Sequence, residues 1–424
     1  MRTHFLAVLE ALRFHNRSAP GLETIPENIW PALLRATDSS HLTLALGVRH
    51  QSALPESVRA RIDRNLAGNA ARYDRVLAAH SQITAALSLY GIEYVVLKGL
   101  SQWPYYCDDP RKRSQYDIDI YVPDESMSRA VKAVRDLGYE PVSDTPDPGA
   151  DHLPAMIRKT GWTWRGDYYD PEMPLSLELH FRFWNLARLR FDVGDVTEFW
   201  RRRIVRQVGG LELPTLDPVD GLTYSALHLI RHLLEGDLRL GQVYEIAHFL
   251  ERSAEDETFW LRWHETGLPS CRVMEGIVFR LAVEWFDCSV HPRAQETIEQ
   301  LPAPVKRWFS LFALSPAPGI GDPNKNELWL HFCLLNNWKD RWAIAIRRLL
   351  PTSRARVVLD AHVPPSKVND VLRVRRVAGE ASFMAKRFLH HLRTLAPTIR
   401  GAYLWWSAPK SQGDRKCRCG TAQP

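Results

Sequence analysis

Two aspartates two residues apart, Asp117 and Asp119, carry the clearest chemical signal in the chain. They sit in Tyr116-Asp117-Ile118-Asp119-Ile120-Tyr121-Val122, where charged and apolar residues alternate. A strand has a period of two, so both carboxylates leave one face while Ile118 and Ile120 enter the core. Two unit charges ~4 Å apart repel by about 4 kcal/mol at an effective dielectric of ~20. A cation between them turns that cost into a binding site, and hard oxygen ligands suit Mg²⁺. With no ion, the same pair is a solvated strand face.

The aspartates close the stretch around which the chain is organised, residues 93–122. It opens on the apolar, β-rich run Tyr94-Val95-Val96-Leu97, which ends in Lys98-Gly99. A helix-like stretch with Trp103, Tyr105 and Tyr106 follows, then a basic loop with Arg111, Lys112 and Arg113. Gly99 fits a tight strand-to-helix turn where backbone N–H groups meet a phosphate, and Ser101 lies two residues beyond. Lys98 is either a point-charge phosphate binder or a snorkelling strand-end lysine. Leu175-Ser176-Leu177-Glu178-Leu179-His180-Phe181 alternates cleanly and predicts a third strand. The three strands are expected to be neighbours in one mixed sheet with helices over one face.

This order of features, strand, Lys-Gly, helix, loop, then Asp-x-Asp on a second strand, resembles the nucleotidyltransferase superfamily with the DNA polymerase β-like fold. The wording is similar to one branch, the poorly characterised nucleotidyltransferase family of bacterial biosynthetic clusters. Leu97-Lys98-Gly99, Arg113, Asp117-Ile118-Asp119, Leu137-Gly138-Tyr139 and Leu177-Glu178-Leu179-His180 follow that family's order over roughly residues 90–250. The resemblance implies an α+β fold: a small mixed-sheet nucleotidyltransferase core flanked by N-terminal and C-terminal helical regions. It implies transfer of a nucleoside monophosphate from an NTP to an unidentified acceptor, a small molecule, peptide or RNA. Mg²⁺, or Mn²⁺ in its place, would be held by Asp117, Asp119 and Glu178. Lys98, Gly99, Ser101, Arg113 and His180 would bind the nucleotide phosphates. Glu178 departs from the family, which carries an aspartate there. His180, on the same strand face as Glu178, either orients a ligand or phosphate or is a structural histidine. Tyr116 and Trp103 either stack a base or belong to the core. His228 and His232, one helical turn apart, point to packing or substrate contact before metal, since a third clear ligand is lacking. Asp119→Asn is expected to leave the fold intact while weakening Mg²⁺-dependent NTP binding.

The surrounding sequence reads as helix before and after this core. Apolar steps of three and four predict helices around Phe5 to Leu12, around Ile29 to Leu34, and from Pro55 to Leu89, where Gly91 stops the last. Asp124 to Leu137 is a further helix. Hairpins are expected at residues 162–169 and 204–213. From Asp217 helices resume, with Asp220 as a cap, and run to about residue 350. Val357-Val358-Leu359 is strand-like, Glu380 to Leu395 is amphipathic, and the polar tail from Pro409 is dispensable for folding. The expected divisions are 1–90, 91–215, 216–350 and 351–424.

At 424 residues, 45% hydrophobic and 25% charged, the chain has the composition of a globular protein with two or three domains. No apolar run approaches the ~20 residues that span a bilayer. The N-terminus makes a poor signal peptide, and the six cysteines are scattered apart from Cys417-Arg418-Cys419, so the expected location is the cytoplasm. Residues 339–424 hold 18 Lys and Arg against 5 Asp and Glu, while the whole chain carries only +6. That basic part could touch an anionic partner, nucleic acid or membrane surface, or form a solvated helical face. Two other functions stand beside the transferase: a catalytically degenerate adaptor, or a toxin-like enzyme that modifies RNA.

Overall fold

The alternation around the aspartates becomes a central strand. The computed structural model describes residues 2–16, 20–142, 149–317, 323–350 and 370–408. Among them are seven strands: β1 (Val95–Val96), β2 (Asp117–Tyr121), β3 (Tyr139–Pro141), β4 (Met156–Arg158), β5 (Ser176–His180), β6 (Ile204–Val208) and β7 (Leu211–Thr215). They form one mixed sheet in the order β3-β4-β5-β2-β1-β7-β6. β2 runs parallel to β5 and antiparallel to β1, so the three expected strands are neighbours. The fold is α+β, a mixed sheet among many helices.

Ile118, Ile120, Leu177 and Leu179 bury on one face of the sheet, against Val76, Ile83 and Leu87 of the helix Glu56–Leu89 and Ala130 and Val134 of the helix Met127–Asp136. The helix Glu56–Leu89 begins after Pro55, carries Glu56 in its first turn, and ends before Gly91 at φ +60°. Val58 and Ile62 near its start pack into a second core with the N-terminal helices and with Leu222, Ile230 and Phe279. One 34-residue helix thus joins two cores. The sheet's other face is also covered, because Val95 and Leu97 cluster with Leu222 and Ala226 of the helix Pro218–Glu235, which places His228 on Lys98. The expectation of helices on one face alone is corrected there.

Other differences have local causes. The stretch after Gly99 is two 3₁₀ turns, Gly99–Gln102 and Pro110–Lys112, and not a helix; Pro104 and Pro110 remove backbone donors within it. Residues 162–169 form no hairpin. Arg72 takes the carbonyls of Tyr168 (2.9 Å) and Asp170 (2.7 Å), and Trp162 Nε1 donates to Asp170 Oδ2 (2.8 Å). The two Arg72 bonds satisfy backbone carbonyls that a ladder would otherwise use. The second hairpin is present: Val208 pairs with Leu211 across Gly209 and Gly210, both at positive φ. The cap of Pro218–Glu235 is Asp217, which accepts from the Val219 N–H at 3.0 Å with Pro218 in the first turn. Asp220 lies inside that helix, buried against Arg202. The strand-like Val357-Val358-Leu359 and the tail from Pro409 lie outside the described residues.

Candidate active site

The parallel ladder between β2 and β5 sets Asp119 directly opposite Glu178, and Tyr121 opposite His180. Because side chains alternate, Asp117, Asp119, Glu178 and His180 all leave the same face. His180 Nε2 lies 3.0 Å from Asp119 Oδ1 and 3.7 Å from Glu178 Oε2. Asp119, Glu178 and His180 offer ligand atoms within 4.8 Å of one another, the one such group of three found among the described residues. Of that group only Glu178 lines the cleft of about 380 Å³, which Asp117 also lines; Asp119 and His180 are buried and are not among its lining residues.

The turn after β1 brings Lys98 to these carboxylates. Leu97 N–H bonds the Asp119 carbonyl at 3.0 Å, and Gly99 turns the chain at φ +68°. A Cβ on Gly99 would come within 2.2 Å of Gln115 Nε2, whose amide donates to the Asp117 carbonyl at 3.1 Å. Lys98 Nζ then reaches Asp119 Oδ1 at 3.1 Å and His228 Nε2 at 2.9 Å. Two cations therefore already face Asp119. Burial would raise its pKa, but Lys98 and His180 outweigh that and hold it well below the usual carboxylate value. Burial, then repulsion from Asp119, pushes Asp117 up to about 6. Burial works against a charged His180, yet its bonds to Asp119 and Glu178 raise it to about 9.

The remaining expected phosphate binders fall in different places. Arg113 lines the cleft, but its guanidinium is engaged: Nε lies 2.9 Å and Nη2 3.0 Å from Glu245 carboxylate oxygens, and Nη2 lies 2.6 Å from Gln102 Oε1. It braces the wall and is no open clamp. The Gly99 N–H bonds Gln102 Oε1 at 3.2 Å. Ser101 is not among the residues lining the cleft; its carbonyl accepts from Arg206 at 2.8 Å. Tyr116 lines the cleft, packed by the His41 ring at 4.9 Å and the Arg72 guanidinium at 4.8 Å; Trp103 does not line it.

Several residues of the site carry no motif. His228 and His232 form a row in which the two Nε2 atoms are 3.2 Å apart and His232 Nδ1 is 3.1 Å from Asp237 Oδ1. Burial and Lys98 hold His228 well below its ordinary pKa, so it is a neutral acceptor for the lysine. Arg231 and Glu235 line the cleft from the same helix, with Arg231 Nη1 2.5 Å from Asp151 Oδ2. The signal for these was the polar series 228, 231, 232 and 235, one helix face in an otherwise apolar segment. Asp151 and Arg239 stand in loops and had no such signal.

Asp117, Asp119 and Glu178 supply carboxylate oxygens of the kind a divalent cation takes, while Lys98 and a charged His180 already offset part of that charge, and His180 as a cation is no ligand. Strand, glycine turn and paired carboxylates on adjacent strands are the features on which the resemblance to nucleotidyltransferases rests. Residues 26–287 match the family described as uncharacterised nucleotidyltransferase, which covers more than half the chain; the chain belongs to that family. No curated protein and no solved structure matches it.

Proposed function

We propose that this cleft transfers a nucleoside monophosphate from an NTP to an acceptor. The observation that carries the reading is the register that sets Asp119 against Glu178, with Lys98 and the Gly99 turn beside them. An acceptor oxygen, giving up its proton to solvent where it is a hydroxyl, attacks the α-phosphorus; the bond from that phosphorus to the bridging oxygen breaks, and pyrophosphate leaves with the electron pair. A divalent ion held by Asp117, Asp119 and Glu178, Mg²⁺ or Mn²⁺, would offset the negative charge gathered at the α-phosphate. Lys98 supplies a fixed positive charge at the same place. Arg239, exposed at the cleft and contacting the His41 ring at 3.4 Å, is the side chain we assign to the triphosphate, together with the Gly99 turn. Residues 91–215, joined by Arg239, would carry the nucleotide, and the helices of 216–350 the acceptor side.

The choice of test variant follows from burial. Asp119 is 2% exposed and lies between two cations, so Asp119→Asn would take the nearest carboxylate charge from Lys98 and leave His180 only Glu178. Removing one partner of a buried pair costs about 3–5 kcal/mol, so the change is expected to cost stability as well as metal binding. Asp117→Asn is the better probe, because it relieves repulsion and removes a ligand. Calorimetric titration of each NTP with and without Mg²⁺ should show metal-dependent binding in the wild type and a loss of at least about tenfold in Asp117→Asn, one ligand being worth more than ~1.4 kcal/mol. The satisfied charge around Asp119 also suits a degenerate adaptor. Wild-type protein that binds no NTP in Mg²⁺ or Mn²⁺ would establish that reading in place of the enzyme.

A further inference from the structure

The second half of the helix Asp370–Ser407 presents three different surfaces. Thr394, Thr398, Gly401 and Trp405 are buried at steps of four and three, and they dock the helix: a Cβ on Gly401 would meet Asn326 Oδ1 at 2.3 Å, and Trp405 stacks on Trp329. Rotated about a third of a turn from that face, at 3.6 residues per turn, is an apolar stripe of Phe388, Leu392, Leu395, Ile399 and Tyr403. It is solvent-exposed along its length, Ile399 to 61% and Tyr403 to 70%. Lys386, Arg393 and Arg400, spaced by sevens and all exposed, form a row along the stripe's other side. The described helix has no acidic residue after Glu380. A second exposed stripe, Trp338, Trp342, Ile346 and Leu349, runs along the helix Trp338–Leu349.

We infer that this basic, apolar-striped helix docks the protein on an anionic lipid surface, lying in the interface plane. The charge pattern selects the occupant. A second copy of the chain could cover the stripe, but would bring its own cationic row against this one, and like charges repel. A nucleic acid would neutralise the row and leave the stripe in water. An anionic bilayer takes both, with apolar side chains below the headgroups and Lys and Arg among them. No described helix is long and apolar enough to cross a membrane, which fits lying on the surface. The charge balance agrees, since residues 339–424 hold 18 basic against 5 acidic residues. This inference does not depend on the transfer reaction.

The full chain should float with phosphatidylcholine–phosphatidylglycerol vesicles, stay behind with phosphatidylcholine alone, and be released by salt. Replacing the row together (Lys386→Gln, Arg393→Gln, Arg400→Gln) should weaken binding about a hundredfold, at about fivefold per cation. Leu392→Asp with Ile399→Asp should abolish it. Both sets alter exposed positions, so an unchanged thermal unfolding midpoint is the control for folding. Failure of the wild type to float with anionic vesicles overturns the inference. So does vesicle binding unchanged by both variant sets. Light scattering that shows a wild-type dimer dissolved by the aspartate pair would assign the stripe to self-association instead. RNA binding at equal salt that outcompetes the vesicles and survives the aspartate pair would assign the row to nucleic acid.

Discussion

At the scale of single residues, the site is a set of charges arranged to compensate one another. Lys98 lies between Asp119 and His228, and its side chain is largely buried. Lys98→Met keeps much of the length but leaves Asp119 with one cation fewer. In EDTA we expect a loss of about 3–5 kcal/mol, the usual cost of breaking a buried pair. Mg²⁺ should restore part of it, because a bound divalent ion supplies positive charge to the same carboxylates. Thermal unfolding of the variant in EDTA and in Mg²⁺ measures both quantities. An equal loss in the two conditions would mean that no ion reaches Asp119. The aspartates themselves were legible because period two is a local property of the sequence. The engagement of Arg113 by Glu245 was not, since 132 residues separate the two.

At the scale of elements, the turn after β1 and the β2–β5 ladder do the positioning. Gly99 and Gly91 both adopt positive φ, at +68° and +60°. An L side chain there costs about 1–2 kcal/mol in either case. Only at Gly99 would the new Cβ also displace Gln115 from the Asp117 carbonyl; at Gly91 it meets nothing within 4 Å. Gly99→Ala should therefore lower stability more than Gly91→Ala, and only Gly99→Ala should weaken Mg²⁺-dependent NTP binding. Equal NTP affinity in the two variants would show that the turn is structural alone. Strand content was legible wherever a face was half-buried, as in β2 and β5. β3 and β4 escaped notice because each is three residues long, too short to show a period, and β3 ends in a proline. The false hairpin at 162–169 had the right residues and turn, but Arg72 and Asp170 bind the segment in another conformation.

At the scale of the whole molecule, two buried histidines tie stability to pH. His80 in the helix Glu56–Leu89 and His331 in the helix Glu327–Leu334 are both lowered to about 4, burial being the first cause in each. His331 bonds the Leu189 carbonyl at 2.8 Å, and neither ring nitrogen of His80 has a hydrogen-bond partner. Both are neutral in the fold and titrate near 6.5 when unfolded. Between those values the unfolded chain binds more protons, so stability falls as pH drops from about 6.5 to about 4. Each shift is worth on the order of 3 kcal/mol once the pH is below both values. Denaturant midpoints across that window should fall with acid, and His80→Leu should flatten the slope. A slope unchanged in His80→Leu would assign the acid sensitivity elsewhere.

Much of this protein follows from short-range pattern. Two-residue alternation placed Asp117, Asp119, Glu178 and His180 on strand faces, and three- and four-residue steps drew the helix Glu56–Leu89 to within one residue. These are local because a backbone period depends only on neighbours along the chain. Tertiary structure decided the strand order, the register that pairs Asp119 with Glu178, and the helix that lays His228 on Lys98. It also decided which charges are already spoken for: Arg113 by Glu245, Arg231 by Asp151, and Asp119 by two cations at once. A charge's partner is fixed by what folding brings within a few ångströms, and by how little water remains to screen it. Neither quantity is written in the order of residues around it.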